Sequence, residues 1–222
     1  MTHGGPGAGL HAAALRELTG WAAPDAEQDA LRAAYLAHLA THPDGLARDC
    51  VPAHLTASAL VVDAPGERVL LVRHRKGGFW VQPGGHCEPG DRTLARAALR
   101  EAVEESGIRE LTLADDGPVD LDRHELPSAF GSCRVHLDVR YLVLAPEGAE
   151  PAVSEESDDV GWFGWDEMPA GAVEDLARLL DRGREVLATR LGARTAPAQR
   201  AGRSTPSSAS MASPAAAATP SR

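Results

Sequence analysis

Lysine is all but missing from this chain: Lys76 is the only one, and arginine supplies the rest of the 22 basic groups. Cysteine is scarce too. Cys50, Cys87 and Cys133 are odd in number, widely spaced and form no CxxC pair, which argues against a disulfide framework and for a reducing cytoplasm. No uninterrupted apolar run approaches the roughly 20 residues needed to span a bilayer, so no membrane partner is expected. The opening stretch, MTHGGPGAGLHAAALRELTG, lacks a basic region followed by an apolar one and does not read as a secretion signal.

Positive charge is short overall. The net charge is −10, and the C-terminal end conceals a stronger acidity. Residues 193–222 hold Arg194, Arg200, Arg203 and Arg222 and no acids, so the rest of the chain carries 18 basic against 32 acidic groups, a net of −14. Such a surface repels a nucleic acid backbone, and no nucleic acid polymer is expected as a partner. What is present is ordinary for a soluble globular protein: 43% apolar and 24% charged residues in 222, enough to bury a core for one sizeable domain with extensions.

Three regions follow from pattern. Residues 1–50 read as a helical N-terminal extension of two helices. The second opens at PDAEQ, where Asp25 can cap and Gln28 can reach back as in a capping box; Leu31, Tyr35 and Leu39 form its apolar stripe, and it should stop before Pro43. His38 and His42 stand one turn apart with no acid or cysteine to complete a metal set, so they read as an exposed face. Residues 51–192 form the main domain. There HLTASALVVD and ERVLLVRHR suggest a hairpin, FWVQPGG an extended run broken at Pro83-Gly84-Gly85, and VDLDRHEL, RVHLDVRYLVLAP and DVGWFGW further strands. A closing helix is expected over 172–190. This mixture without regular βαβ alternation indicates an α+β fold with a mixed sheet. Residues 193–222, rich in Ala, Ser and Pro, read as a disordered tail.

The densest chemistry lies in one helix, expected from about Thr93 to Glu105 with Asp91 or Thr93 as cap and Gly107 as the left-handed end. Ala95, Ala98, Leu99, Ala102 and Val103 form its buried stripe. Glu101, Glu104 and Glu105 share one edge, at the helix end where the macrodipole is already negative. Arg100, four residues before Glu104, can fix that carboxylate but does not neutralise three. A solvated acidic face would ordinarily intersperse Lys or Arg; hard divalent cations would offset the repulsion instead. The preceding QPGGHCEPGD, with Gly84, Gly85 and Gly90, allows close backbone approach over the acidic edge.

The segment GHCEPGDRTLARAALREAVEESGI, residues 85–108, resembles the Nudix box: a glycine, five residues, a glutamate, seven residues, then Arg-Glu-aliphatic-x-Glu-Glu-x-Gly-aliphatic. Arg100, Glu101, Ala102, Glu104, Glu105, Gly107 and Ile108 match its second half, with Ala102 as a small aliphatic. Asp91 stands in place of the first glutamate, and eight residues rather than seven separate it from Arg100.

The resemblance implies a Nudix-type α/β/α sandwich and hydrolysis of a diphosphate linkage in a nucleoside diphosphate derivative, with Mg2+ or Mn2+ as cofactor. Glu101, Glu104 and Glu105 would be metal ligands, with the Gly85 carbonyl beside them, and Arg100 would orient Glu104. Within the family the general base is a box glutamate or an acid from a distant loop; SEESDD offers Glu155 and Glu156, though a solvated acidic loop reads equally well. Arg73, Arg75, Lys76 and His86 are candidate phosphate contacts. His54, His124 and His136 are expected to be structural, Trp80 to pack its strand, and Cys87 not to be a nucleophile. Two other functions remain: a nucleotide-binding or regulatory module of the same fold without turnover, and an isomerase of isoprenoid diphosphates, whose catalytic cysteine and acid arrangement is not found. The flanking helices can either cover the domain or make a homodimer.

Overall fold

The computed structural model describes residues 6–115, 117–127, 132–155 and 157–195. Twelve elements follow one another: α1 (Pro6–Gly20), α2 (Ala26–Thr41), β1 (Ala53–Val62), β2 (Arg68–His74), β3 (Trp80–Val81), β4 (Gly84–His86), α3 (Leu94–Ser106), β5 (Thr112–Leu113), β6 (Asp120–Glu125), β7 (Val135–Leu144), β8 (Ser157–Gly164) and α4 (Leu176–Thr195). The strands make one mixed sheet in the order β3-β2-β1-β7-β5, with β4 on β1, β6 on β7 and β8 on β2. Its spine is the parallel pair β1–β7, which runs in register from Ala53↔Val135 to Val62↔Leu144, and the other pairings are antiparallel.

Alternation along these strands sorts residues to two layers. Leu55, Ala57, Ala59 and Val61 of β1, with Val139, Tyr141 and Val143 of β7, pack under α1, α2 and α3. Leu60, Val62 and Leu142 face the other way, under Leu176, Leu179 and Leu180 of α4. The α+β sandwich expected from the sequence is therefore present. The α4 layer covers only part of its face, and the uncovered part is polar: His54, Thr56 and Ser58 on β1, and His136, Asp138 and Arg140 beside them on β7.

Local expectations differ from the structure in two places. Asp25 caps α2 by accepting from Gln28 N at 2.9 Å, but the Gln28 side chain does not reach back to the cap. It is drawn instead to Leu121 of β6, donating to the carbonyl at 3.0 Å and accepting from the amide at 2.7 Å. A buried strand backbone outcompetes a helix end for the amide because its groups have nowhere else to bond. Secondly, the extended run does break, with a bend at Pro83 between β3 and β4, but Gly84 and Gly85 belong to the strand after the bend rather than to the break itself. Gly84 and Gly85 pair with Ser58 and Ala57 as part of β4. That pairing needs glycine, since a β-carbon on Gly84 would sit 2.3 Å from Ser58 Cβ.

Candidate active site

The acidic helix α3 is capped by Thr93, which accepts from Arg96 N at 3.2 Å, and ends on Gly107 at φ 72°. Its buried face holds Ala95, Ala98 and Ala102, and small side chains let the helix lie close on the sheet. On that same face Glu101 and Glu105 are turned inward, 9% and 7% exposed, while the Glu104 side chain is 57% exposed. The three carboxylates are therefore not equivalent. Glu105 accepts from the Gly84 amide at 2.9 Å, and Glu101 lies so near Gly85 that a β-carbon there would come within 2.7 Å of its carboxyl carbon.

Arg100 ties this corner together. Its Nη1 donates to Glu101 at 3.0 Å and to Glu104 at 2.9 Å, and its Nη2 donates to the His86 carbonyl at 2.9 Å. The remaining bonds go to Asp91, at 3.3 and 3.1 Å, and Asp91 also accepts from Glu88 N at 2.8 Å. The aspartate that departs from the box pattern thus braces the arginine and the loop before the helix. Burial opposes the Arg100 charge, but the bond to Asp91 and the charge of Glu101 outweigh it and hold the guanidinium protonated.

A cavity of about 1060 Å³ opens beside this corner, lined by Glu105, Gly84, Gly85 and His86. Of the expected substrate contacts, Arg75, Lys76 and His86 line it and Arg73 does not; Arg73 donates to the Gly78 carbonyl at 3.5 Å. Arg75 is engaged with Asp158 at 3.2 Å and with the Ser157 carbonyl at 3.1 Å. Glu155 lines the cavity, whereas Glu156 lies outside the described residues. Trp80 packs against Phe163, ring centroids 5.0 Å apart. Burial, then the neighbouring Asp91 charge, push the Cys87 thiol up to about 12, so it carries no thiolate for covalent chemistry.

The cavity floor holds groups that sequence reasoning missed. Arg140, 1% exposed, is ringed by Asp138 at 3.1 Å, Asp122 at 3.1 Å, Asp120 at 3.3 Å and Asp175. Arg178 joins from α4 to Asp120 at 3.1 Å and Asp122 at 2.7 Å. Asp138 also accepts from Thr56 at 2.9 Å and Ser58 at 2.5 Å. Burial alone would raise the Asp122 carboxyl, but its bond to His124 and the Arg140 and Arg178 charges hold it well below the usual carboxylate range. The signal was in the sequence as polar residues at every second position: His54-x-Thr56-x-Ser58, Asp120-x-Asp122-x-His124 and His136-x-Asp138-x-Arg140.

His54, His124 and His136, expected to be structural, stand together with His86 on the wall of this cavity. Ring centroids lie 5.0 Å apart for His54–His86 and His54–His136, and 5.3 Å for His86–His136 and His124–His136. Burial, then the neighbouring His54 and Arg48, bring His86 down to about 4. Burial and the other three histidines take His136 to about 3. His124 goes the other way, because its bond to Asp122 overcomes burial and raises it.

The donors on α3 fit a hard divalent cation in kind: carboxylate oxygens beside glycine backbone, in a cradle that a β-carbon on Gly85 would fill. They are not drawn into a compact triad, since Glu101 and Glu104 share Arg100 while Glu105 turns to Gly84. The NUDIX domain family model matches residues 52–183, which include α3, β4 and the whole sheet. The chain belongs to the Nudix family. A stretch of 56 residues is 43% identical to the m7GpppN-mRNA hydrolase NUDT17 of Xenopus laevis, covering 23% of this chain and only 19% of that protein's length. The fold is similar to that of a C. elegans Ap4A hydrolase crystallised as a binary complex, with a TM-score of 0.52 and 21% identity over 61% of this chain and 98% of the other. That likeness supports the Nudix fold. No helix among the described residues is long and apolar enough to cross a membrane.

Proposed function

We propose that this Nudix domain hydrolyses a diphosphate linkage in a small nucleoside diphosphate derivative, with Mg2+ or Mn2+ held by Glu101, Glu104, Glu105 and the Gly85 carbonyl. The observation that carries the reading is the pair of inward-facing carboxylates, Glu101 and Glu105, set against the glycine backbone of β4, with Glu105 lining a cavity of about 1060 Å³. That volume suits a nucleotide-sized ligand. The bound ions supply neutralisation of the charge gathering on diphosphate oxygens and lower the pKa of the attacking water.

The chain's own residues do the positioning. Arg100 holds Glu101 and Glu104 and, through the His86 carbonyl, fixes β4 against the helix. Glu105, held by the Gly84 amide, presents its carboxyl to the cavity. Lys76 and Arg75 meet phosphate oxygens from the cavity wall, Lys76 as a point charge and Arg75 after leaving Asp158; His86 flanks them, and Arg73 contributes only long-range charge. Glu155 takes the proton of the attacking water, with Glu156 as the neighbouring alternative. The acid excess of the chain supports a small substrate over a polymer. Three unpaired cysteines support a cytoplasmic setting.

The test is a screen of dinucleoside polyphosphates, nucleotide sugars, ADP-ribose, oxidised nucleoside triphosphates and methylated cap dinucleotides, with Mg2+ or Mn2+. Released phosphate species are resolved by ion-exchange chromatography. The expected outcome is turnover of at least one class that disappears in excess chelator. Turnover that persists in chelator, or none across the panel, overturns the reading.

A further inference from the structure

The histidines of the cavity wall carry chemistry that the carboxylate corner does not use. His54, His86 and His136 each present a ring nitrogen, and these three atoms lie within 4.8 Å of one another. Three strands deliver them. β1 and β7 run parallel with His54 opposite His136, and antiparallel β4 sets His86 opposite Thr56, one step along the same face.

The tautomer of His54 decides what such a cluster can take. Its Nδ1 lies 3.0 Å from the Cys50 carbonyl, which only accepts, so Nδ1 carries the hydrogen. In the neutral ring the lone pair then sits on Nε2. His54 is 1% exposed, and its Nε2 has no hydrogen-bond partner. A buried lone pair facing two further imidazoles calls for an electron-pair acceptor. An anion is excluded at that atom, because Nε2 has no hydrogen to give. Metal-binding histidines show the same arrangement, with the distal N–H anchored on a backbone carbonyl and the other nitrogen left for the ion.

We propose that His54, His86 and His136 bind a divalent transition-metal ion, Zn2+ by best fit, at a site distinct from the carboxylates of α3. Three imidazoles favour borderline ions over Mg2+, which prefers oxygen. Tetrahedral Zn–N geometry puts ligand nitrogens about 3.3 Å apart, so the cluster closes by rotation of the half-buried His86 and His136 about the fixed His54. Arg48 lines the same cavity and disfavours a cation. Asp122 and Asp138, two residues along β6 and β7 from His124 and His136, act in the opposite sense. His124 stays outside the set because its Nδ1 is held by Asp122 at 2.8 Å. The fourth position, towards the cavity, is left for water or a phosphate oxygen.

The test uses the full-length untagged chain, stripped with chelator and titrated with Co2+ alone in excess Mg2+. Visible absorption is the readout, with X-ray absorption at the zinc edge on the Zn2+-loaded protein. One equivalent of tightly held Co2+ with an intense tetrahedral band is expected, together with imidazole scattering from three nitrogens. His86→Ala and His136→Ala are expected to weaken binding by about 100-fold or more. Glu101→Gln, Glu105→Gln and the His38→Ala/His42→Ala double variant should leave it intact. Absence of the band in the wild-type chain, its survival in both histidine variants, or its loss in the glutamate variants overturns the proposal. Because the X-ray signal is read on the wild-type protein, a variant that fails to fold does not shield the idea. No turnover is measured, so failure here is separate from failure of the hydrolase reading.

Discussion

Gly85 and His86 are neighbours on β4, yet they serve two regions of opposite character. Gly85 presses its bare backbone against Glu101 of α3. His86 turns to His54 on the other side of the sheet. The carboxylate corner is written in one contiguous segment, with Arg100 at its centre and oxygen donors on one helix. The cavity floor is assembled from β1, β4, β6 and β7, with Arg140 at its centre and imidazoles along one wall. The difference teaches that a helix can state its chemistry locally, whereas a sheet states it only after its strands have found their partners.

The sharpest way to separate the two regions is to damage each at its centre. Glu105→Gln removes a carboxylate oxygen from the corner, so steady-state rates should fall by orders of magnitude while the thermal midpoint stays near that of the wild type. Arg140→Met should do the reverse in kind. It leaves Asp120, Asp122 and Asp138 buried together without their main cation, at a cost of about 3–5 kcal/mol, measured by chemical denaturation. A rate loss without destabilisation in Arg140→Met would break the distinction.

A finer probe is the pair Gly84→Ala and Gly85→Ala. The new β-carbon on Gly84 meets Ser58 Cβ at 2.3 Å and Ser58 Cα at 2.7 Å, so backbone must move and stability should fall by about 1–3 kcal/mol. On Gly85 it meets the end of the Glu101 side chain, which can swing away. That variant should lose turnover more than stability, by the ratio of its rate to its unfolding midpoint.

The smallest effect expected is in pH. His86 and His136 have folded pKa values of about 4 and about 3, below the ordinary imidazole value. The unfolded chain therefore takes up protons first. Stability contributed by the neutral rings is complete above about pH 6.5 and is lost as pH falls towards their folded values. His124, raised instead, contributes below that pH and loses its share as pH rises. In metal-stripped protein the thermal midpoint should drop by a few degrees on acidification from about pH 7 to about pH 6. His86→Asn/His136→Asn should flatten that slope.

What could be read in advance follows the same division. The Thr93 cap, the Gly107 turn, the alanine stripe and the β1–β2 hairpin depend on residues close in sequence, and the structure shows them. So does the contact of Arg100 with Glu104, one helical turn apart. The Arg140 cluster was illegible for a physical reason. Its polar alternation is visible in each strand alone, but only the parallel pairing of β1 with β7 puts Thr56 and Ser58 beside Asp138. The inward turn of Glu101 and Glu105, against the outward Glu104, likewise depended on where β4 would lie. Gln28 was misread because helix rules see only the helix.

That glutamine has a consequence for the whole molecule. Its amide meets both the N–H and the carbonyl of Leu121 at the border of the eight-stranded sheet, imitating one rung of another strand. A chain trimmed of α1 and α2 would leave β6 with a raw rim open to any passing extended peptide. The shortened protein would be expected to polymerise rather than persist as a smaller monomer.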